Sequence, residues 1–234
     1  MLVMPTDPTV PLFEAIRAGN VEQVQMLLDA DSDLLNKQQT TGDDGPSPVL
    51  TALYQGQRAV AEVLLSRSLR LSIFEAAAAG DTSQVQARLA ENPNLARALA
   101  PDGFSALHLA AFFAHPETLA ALLAGGAPPN IVARNPMQVT PLHSAVACGD
   151  AERAQAMAAL LLDHGADPNI AQQDGFTPLT AAAQDGNLPL TRLLLKVGAR
   201  RNARNANNKT ALDVAREHGH GALLTLLESD DRVL

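Results

Sequence analysis

The protein has 234 residues, of which 47% are hydrophobic, 3% aromatic and 18% charged, with a formal net charge of −8. Ala and Leu (42 and 36 residues) supply a third of the chain, which favours close helix packing over a β-sandwich or barrel. The single cysteine excludes an internal disulfide framework and a multi-cysteine zinc site, and the acidic charge disfavours general binding to nucleic acid.

The N-terminal sequence MLVMPTDPTVP has three prolines and no basic start. It predicts an extended arm over residues 1–9 rather than a secretory signal. The chain has no run of about 18 apolar residues, so no membrane span is predicted. Because Cys148 has no partner cysteine, a reducing compartment is favoured, and we expect a cytoplasmic protein.

From residue 10 onwards, one pattern recurs seven times. Each copy has a short apolar stretch that ends at a small residue, and then a second apolar stretch with helical spacing. Each copy therefore predicts a helix, a tight turn and a second helix. A lone helix pair cannot bury its apolar face, so the copies must stack into an all-α solenoid. The small residues that close the first stretches are Gly19, Gly56, Gly80, Ala114, Gly149, Gly186 and Gly219.

The starts of the first helices carry their own signals. Thr140 and Thr177 stand where an N-cap is needed, and a hydroxyl there accepts a hydrogen bond from the exposed helix N–H groups. Pro141 and Pro178 follow at the first helical position, where a missing N–H costs little. The closing glycines predict a left-handed turn at the end of each first helix.

These residues resemble the ankyrin repeat. The resemblance covers about residues 10–229 and is most specific over 101–220. It implies a right-handed stack of helix pairs, with hairpin loops projecting from one edge, and it implies that His108 and His143 hydrogen-bond around the Ser or Thr at their helix starts. It is carried by Thr140-Pro141-Leu142-His143, Thr177-Pro178-Leu179, Ser105-Ala106-Leu107-His108 and Gly165-Ala166-Asp167-Pro168-Asn169. The predicted single domain, 10–234, divides into units at about 10–46, 47–70, 71–103, 104–138, 139–175, 176–208 and 209–230.

Two units depart from the pattern. Gly56 and Gly80 are 24 residues apart, about nine fewer than the usual spacing, so we expect the hairpin between Leu65 and Ile73 to be missing. A change in stacking angle at that point stays open. The second helix of the fifth unit is expected to be four residues longer than that of the sixth, which is roughly one helical turn.

No catalytic constellation is evident. The six histidines lie at repeat or turn positions, and Cys148 has no partner in a recognisable local arrangement. The sequence therefore predicts no enzyme activity, no cofactor and no metal site. A small-ligand or enzymatic groove near Cys148 and His143 stays open as an alternative.

In ankyrin proteins, partners usually contact the hairpin tips and the groove lined by the first helices, at positions that the repeat framework leaves free. Five of the seven aromatic residues occupy such positions, whereas Phe13 and Phe74 share the slot of His108 and His143. Aromatic side chains dominate interface hot spots. The predicted partner-binding residues are Tyr54, Phe104, Phe112, Phe113, Met137, Val139, Cys148, Phe176, Gln184 and Asp185.

Two interpretations of Phe104, Phe112 and Phe113 stay open, because these rings can either face a partner or seal the stack. A second candidate surface is a basic loop with Arg200, Arg201 and Arg204, which either meets an acidic partner or is a solvated loop. The predicted function is a non-catalytic, monomeric protein-interaction module or scaffold that binds a protein, not nucleic acid or a membrane. A regulatory or inhibitory subunit of an enzyme is the alternative.

Overall fold

The computed structural model describes residues 9–37 and 45–228. Except for Thr9, which begins the first helix, the predicted N-terminal arm lies outside the described residues. The α-helices of the described ranges are α1 (Thr9–Arg17), α2 (Val21–Ala30), α3 (Pro48–Tyr54), α4 (Arg58–Arg67), α5 (Ile73–Ala79), α6 (Thr82–Glu91), α7 (Ala106–Phe112), α8 (Pro116–Ala124), α9 (Pro141–Val146), α10 (Ala151–Asp163), α11 (Pro178–Gln184), α12 (Leu188–Lys196), α13 (Ala211–Glu217) and α14 (Gly221–Glu228).

Consecutive helices form seven pairs, from α1–α2 (unit 1) to α13–α14 (unit 7). The first helices pack on one another in chain order, and the second helices form a parallel row behind them. Ala and Leu fill the interior between the two rows, with Ala76, Ala110, Ala145 and Ala182 fully buried where first helices meet. The predicted all-α solenoid is confirmed, and the described residues contain no strand beyond one isolated bridge.

Thr140 and Thr177 take the predicted N-cap positions, directly before α9 and α11. Thr177 accepts a hydrogen bond from the Thr180 N–H at 3.3 Å, and Pro178 takes the first helical position of α11. Ser105 caps α7 in the same way, through the His108 N–H at 3.4 Å. Ala114 takes the place of the closing glycine in unit 4 and keeps the left-handed turn, with φ of 58°.

Hairpins connect units 3 to 7 along one edge of the stack, as predicted. They span residues 100–104, 133–139, 172–176 and 205–209, and each is closed by a backbone hydrogen bond of 2.7 to 3.0 Å. Adjacent hairpins are joined in turn, because the N–H groups of Arg134, Gln173 and Ala206 donate to the carbonyls of Gly103, Met137 and Asp174. The hairpins therefore form one continuous backbone ladder.

The junction between units 2 and 3 is different. Only residues 68–72 connect α4 to α5, and they form no hairpin, which confirms the expected loss. Leu69 is 97% exposed there. Helices α4 and α6 also make less contact than the other neighbouring second helices do, so the second row is loosened at this point.

The second helix of unit 5 is longer than its neighbour, as the spacing predicts. Helix α10 has 13 residues and α12 has nine.

Candidate functional site

The position two residues before the closing turn residue borders the groove beside the hairpins in units 2, 4, 5 and 6. Tyr54, Ala78, Phe112, Ala147 and Gln184 occupy it in units 2 to 6, and Ala78 is buried. Because small alanines stand on either side of Phe112, the groove has empty space next to this ring.

That space is a cavity of about 360 Å³ with an almost wholly apolar lining, which we call the aromatic pocket. It lies between α7, α9 and the hairpins. Five of the predicted partner-binding residues come together in it: Tyr54, Phe104, Phe112, Met137 and Val139. The remaining lining residues are His108, Leu109, His143, Ser144, Ala147 and Gln172.

Sequence reasoning did not single out Leu109, Ser144 or Gln172. A signal for the first two was present, because each directly follows the histidine of its repeat and so takes the same place on its helix. Gln172 comes from the next hairpin, and only the stacking of units 5 and 6 brings it to the pocket.

The pocket has an exposed rim and a buried floor. Met137 is 52% exposed, Phe112 38% and Tyr54 36%, whereas Val139 is buried and Phe104 half-buried. Exposed apolar side chains around a preformed hollow are typical of binding surfaces.

Phe113 lies behind the pocket rather than in it. Its ring packs edge-on against Phe112 at 5.2 Å between centroids, and against Tyr54 at 5.7 Å. It is half-buried against the core. The three phenylalanines thus differ in position. Phe112 lines the pocket at its exposed rim, and Phe113 packs behind Phe112 against the core. Phe104 lines the pocket and also packs against the core.

Tyr54 forms the far wall by crossing a whole unit. It belongs to unit 2, yet its hydroxyl donates to Asp102 at 3.0 Å, at the hairpin that leads into unit 4. The ring also packs against Phe113 of unit 4, at 5.7 Å between centroids, although unit 3 lies between these two units in the chain. Burial, together with the Asp102 carboxylate, raises the pKa of the Tyr54 phenol above its usual value.

His108 and His143 have both ring nitrogens occupied. Nδ1 of each accepts from the backbone N–H of the cap residue, Ser105 or Thr140, at 3.2 Å. Nε2–H donates to the Val139 carbonyl at 3.0 Å in one case and to the Phe176 carbonyl at 3.1 Å in the other. Burial lowers the pKa of each ring to about 4. The role implied by the resemblance is confirmed, and neither ring has a nitrogen left for catalysis.

The prediction for Phe74 was wrong. Helix α5 begins one residue late relative to its closing glycine, so Glu75, not Phe74, takes the slot of the histidines. Its Oε2 accepts from the Ser72 N–H at 2.8 Å, and its Oε1 accepts from the Ser47 hydroxyl at 2.6 Å. Unit 3 therefore holds unit 2 through a carboxylate.

Three other predicted residues lie in a second cavity of about 340 Å³, next to the aromatic pocket. These are Phe176, Gln184 and Asp185, and Asp174 joins them. We call this cavity the acidic groove. Burial raises the pKa of the Asp185 carboxyl, and His218 and His220 partly offset that effect.

Cys148 lines neither cavity. Its thiol donates to the Asp150 carbonyl at 3.5 Å, and burial raises its pKa. Both features keep the thiol protonated, whereas a nucleophilic cysteine needs a lowered pKa. Within residues 9–37 and 45–228, no cluster of three His, Cys, Asp or Glu residues is arranged to hold a metal ion.

The predicted basic loop is divided among structural contacts. Arg201 donates to the Leu226 carbonyl of α14 at 2.5 Å, and Arg204 donates to the Asn208 carbonyl of its own hairpin at 2.6 Å. The Arg200 side chain is exposed. One guanidinium group thus holds the last helix, and a second braces its own hairpin.

No helix in the described part of the chain has the length and apolar character needed to cross a membrane.

Comparisons with known proteins agree with this architecture. The family profile "Ankyrin repeats (3 copies)" matches residues 73–172 and 151–233. The chain is 39% identical over 108 residues to the "Cyclin-dependent kinase 4 inhibitor B" of Rattus norvegicus, covering 44% of this chain and 75% of that protein. It is 38% identical over 107 residues to the "Cyclin-dependent kinase inhibitor 2A" of Homo sapiens, covering 44% of this chain and 62% of that protein.

A third relative is named as an ion channel and not as an inhibitor. The chain is 35% identical over 149 residues to the "Transient receptor potential cation channel subfamily A member 1 homolog" of Caenorhabditis elegans. The match covers 64% of this chain but 12% of the channel protein. Similar identity to an inhibitor and to a channel indicates that the shared residues are mostly those of the repeat framework.

Proposed function

Because this chain belongs to the ankyrin-repeat family, whose repeats mediate protein–protein interactions, we propose that it is a non-catalytic module that binds a protein in its groove. The aromatic pocket carries the proposal. An aromatic-poor chain gathers Tyr54, Phe104 and Phe112 around one apolar hollow. Buried aromatic anchors in such hollows supply most of the binding energy of protein interfaces.

We assign the partner contacts in two groups. Tyr54, Phe104, Phe112, Met137 and Val139 take an apolar anchor of the partner. Phe176, Gln184 and Asp185 extend the contact along the acidic groove. Cys148 and the basic loop are left out, because the thiol faces a backbone carbonyl, Arg201 holds α14 and Arg204 bonds to its own hairpin.

The test is affinity capture followed by mass spectrometry with a double variant, Phe112→Ser with Met137→Ser. Both side chains are exposed at the rim, so the variant is expected to keep its melting temperature within a few degrees. A hot-spot loss of about 2 kcal/mol weakens binding roughly 30-fold, which removes the partner from the captured set.

The matched control is Met26→Ser with Leu69→Ser. These side chains are also exposed, at 57% and 97%, but they lie away from the pocket. The control is expected to capture the same proteins as the wild type. If the Phe112→Ser, Met137→Ser variant captures the same proteins as the wild type, the proposal is contradicted.

An inhibitory subunit of a kinase is the alternative that the relatives' names favour. It is tested directly by adding the purified chain to a cyclin-dependent kinase and measuring phosphate transfer to a protein substrate. Inhibition that the Phe112→Ser, Met137→Ser variant loses supports this alternative. Unchanged kinase activity at micromolar chain removes it.

A small-ligand or enzymatic site is the weaker alternative. A cavity of about 360 Å³ lies within the usual range for ligands of about 300–1,000 Å³, but such sites orient their ligand with several converging polar groups. The nitrogens of both histidines and the Tyr54 hydroxyl are engaged, which leaves Ser144 and Gln172 as the other polar side chains of the described lining.

We also propose that residues 10–234 form one domain that acts as a monomer in the cytoplasm. The continuous row of first helices supports the single domain, and the lone Cys148 supports a reducing compartment. Light scattering after size-exclusion chromatography tests the monomer, with 24.6 kDa as the expected mass.

A further inference from the structure

We propose that the segment bound in the groove combines a large apolar side chain, which enters the aromatic pocket, with an arginine or lysine that lies against Asp174 and Asp185. This inference rests on the proposed function, and it adds the charge of the partner and the direction in which the partner runs.

The two cavities are adjacent. His143 of α9, Ala147 directly after α9 and Gln172 of the hairpin 172–176 line both of them. An extended or helical segment anchored beside Phe112 therefore passes directly into the acidic groove of the next unit. The character of the lining changes along that path, from aromatic in units 4 and 5 to acidic in units 5 and 6.

The two carboxylates of the acidic groove are available to a ligand. In the part of the chain that the structure describes, neither Asp174 nor Asp185 has a Lys, Arg or His nitrogen within 4.0 Å. Asp174 stands at a hairpin tip in the left-handed conformation, with φ of 65°. Asp185 follows the last residue of α11. It also borders a third cavity, which lies at the starts of α10 and α12.

Neighbouring cations offset the charge of this site only in part. His220 and His218 act on Asp185 from a distance, and the His220 Nε2–H donates to the Gln184 carbonyl at 2.8 Å rather than to a carboxylate. Arg201 and Arg204 are held by the carbonyls of Leu226 and Asn208. A guanidinium or ammonium group from a partner is therefore the complementary charge.

The charge of the chain favours the same partner. Residues 1–186 contain 9 Lys or Arg and 20 Asp or Glu, a balance of −11. Asp102 adds a carboxylate at the Tyr54 wall of the aromatic pocket. An acidic segment would be repelled along this whole surface, whereas a basic one is attracted to it before contact.

The experiment selects peptides from a random phage-displayed library on the folded chain and then measures their affinity by fluorescence anisotropy. The expected peptides share a bulky apolar residue and an Arg or Lys at a constant spacing. The double variant Asp174→Asn, Asp185→Asn should weaken them at least tenfold and reduce the dependence of affinity on salt. The control is Asp163→Asn, which removes an exposed carboxylate at the end of α10.

Different results separate the two proposals. The inference is wrong if Phe112→Ser weakens the peptides but the Asp174→Asn, Asp185→Asn variant binds them with the affinity of the wild type; the proposed function then still stands. If neither Phe112→Ser nor Met137→Ser lowers the affinity of the selected peptides, the proposed function itself is contradicted. If the wild-type chain dimerises and Phe112→Ser abolishes the dimer, the occupant is a second copy and the inference is wrong. Circular dichroism melts of every variant verify that each is folded.

Discussion

Residues 100–228 and the junction at residues 58–73 hold neighbouring units together by different means. In the first region, backbone hydrogen bonds between hairpins run from unit to unit, at 2.8 to 3.0 Å. In the second, units 2 and 3 are joined by side chains: the Ser47 hydroxyl donates to Glu75 at 2.6 Å, and Arg70 of the connector pairs with Glu91 of α6 at 2.7 Å.

The difference shows what a missing hairpin changes in a solenoid. Each unit contacts only its neighbours, so the loss of one backbone link must be met locally. Exposed ion pairs contribute about 0 to 1 kcal/mol each, which makes them weaker links than a paired backbone. The core of alanine and leucine continues across the junction, so the stack persists there on apolar packing.

The candidate site draws on both regions. Tyr54 stands before the junction, whereas the rest of the aromatic pocket belongs to the hairpin-linked units. This tyrosine contacts Phe113 of unit 4 across unit 3 and so joins the two regions.

The largest expected effect is a loss of stability between pH 6.5 and 4, located in units 4 and 5. Burial lowers the pKa of His108 and His143 to about 4, from 6.5, so the unfolded chain binds protons in this interval and the folded chain does not. Stability is complete above pH 6.5 and falls as the pH drops to 4. The expected loss is on the order of 3 kcal/mol per ring.

Urea unfolding between pH 7 and 4 measures this loss. The single variant His108→Gln should remove about half of the dependence on pH, because His143 remains, whereas His164→Gln, at an exposed position, should leave it unchanged. A stability that does not change between pH 6.5 and 4.5 would show that these rings are not the neutral, buried groups described above.

The next effect tests the backbone ladder through Gly103→Ala. Gly103 has φ of 84°, and a Cβ atom there would overlap the carbonyl group of Arg134 on the next hairpin. The expected cost is about 3 kcal/mol, from the left-handed conformation and the displaced hairpin.

Gly149→Ala is the matched control, with φ of 80° and no heavy atom within 4 Å of the added Cβ. Its expected cost is about 1 kcal/mol, from the conformation alone. Equal losses of unfolding free energy for the two variants would mean that contact between hairpins contributes nothing.

A smaller contrast comes from inserting Gly-Ser in each region. Between Leu69 and Arg70 the insertion lengthens an exposed connector, at an expected cost below about 1 kcal/mol. Between Pro136 and Met137 it displaces a carbonyl that accepts from the Gln173 N–H, and about 2 kcal/mol is expected. Thermal melts compare the two, and the reverse order would refute this difference between the regions.

The smallest effect is that of Tyr54→Phe. It removes the hydrogen bond to Asp102 while keeping the ring, so about 0.5–1 kcal/mol is expected, because the bond is solvent-exposed. Chemical denaturation measures this loss of unfolding free energy. Tyr54→Ala is the comparison, because it also removes the ring that forms the far wall of the aromatic pocket. If Tyr54→Phe costs as much as Tyr54→Ala, the ring packing against Phe113 is unimportant.

Most of the fold could be predicted because its signals are local. Caps such as Thr177, the proline after them and the closing glycines act within one helix turn, so their meaning does not depend on distant residues. The spacing from Gly56 to Gly80 indicated the missing hairpin for the same reason. The residue of unit 3 that takes the slot of the histidines was not predicted. Counting back from the closing Gly80 gives Phe74, whereas counting forward from the cap residue Ser72 gives Glu75, and the structure follows the second count.

The candidate site was only partly predictable. The repeat frame marked Phe112, Met137 and Tyr54 as free positions, but their meeting around one cavity depends on alanines in the units on either side. The basic loop looked uniform in sequence, yet Arg201 reaches α14, 25 residues further along the chain.

By itself, the sequence determined the all-α repeat, its turns and the position of its irregular junction, because each of these follows from interactions within a unit or with the next one. Only the tertiary structure decided which side chains share a cavity. The rings of Tyr54 in unit 2 and Phe113 in unit 4 meet across unit 3, with 5.7 Å between their centroids. Such a contact depends on the combined sizes of side chains from three helices, and no periodicity of the chain encodes that combination.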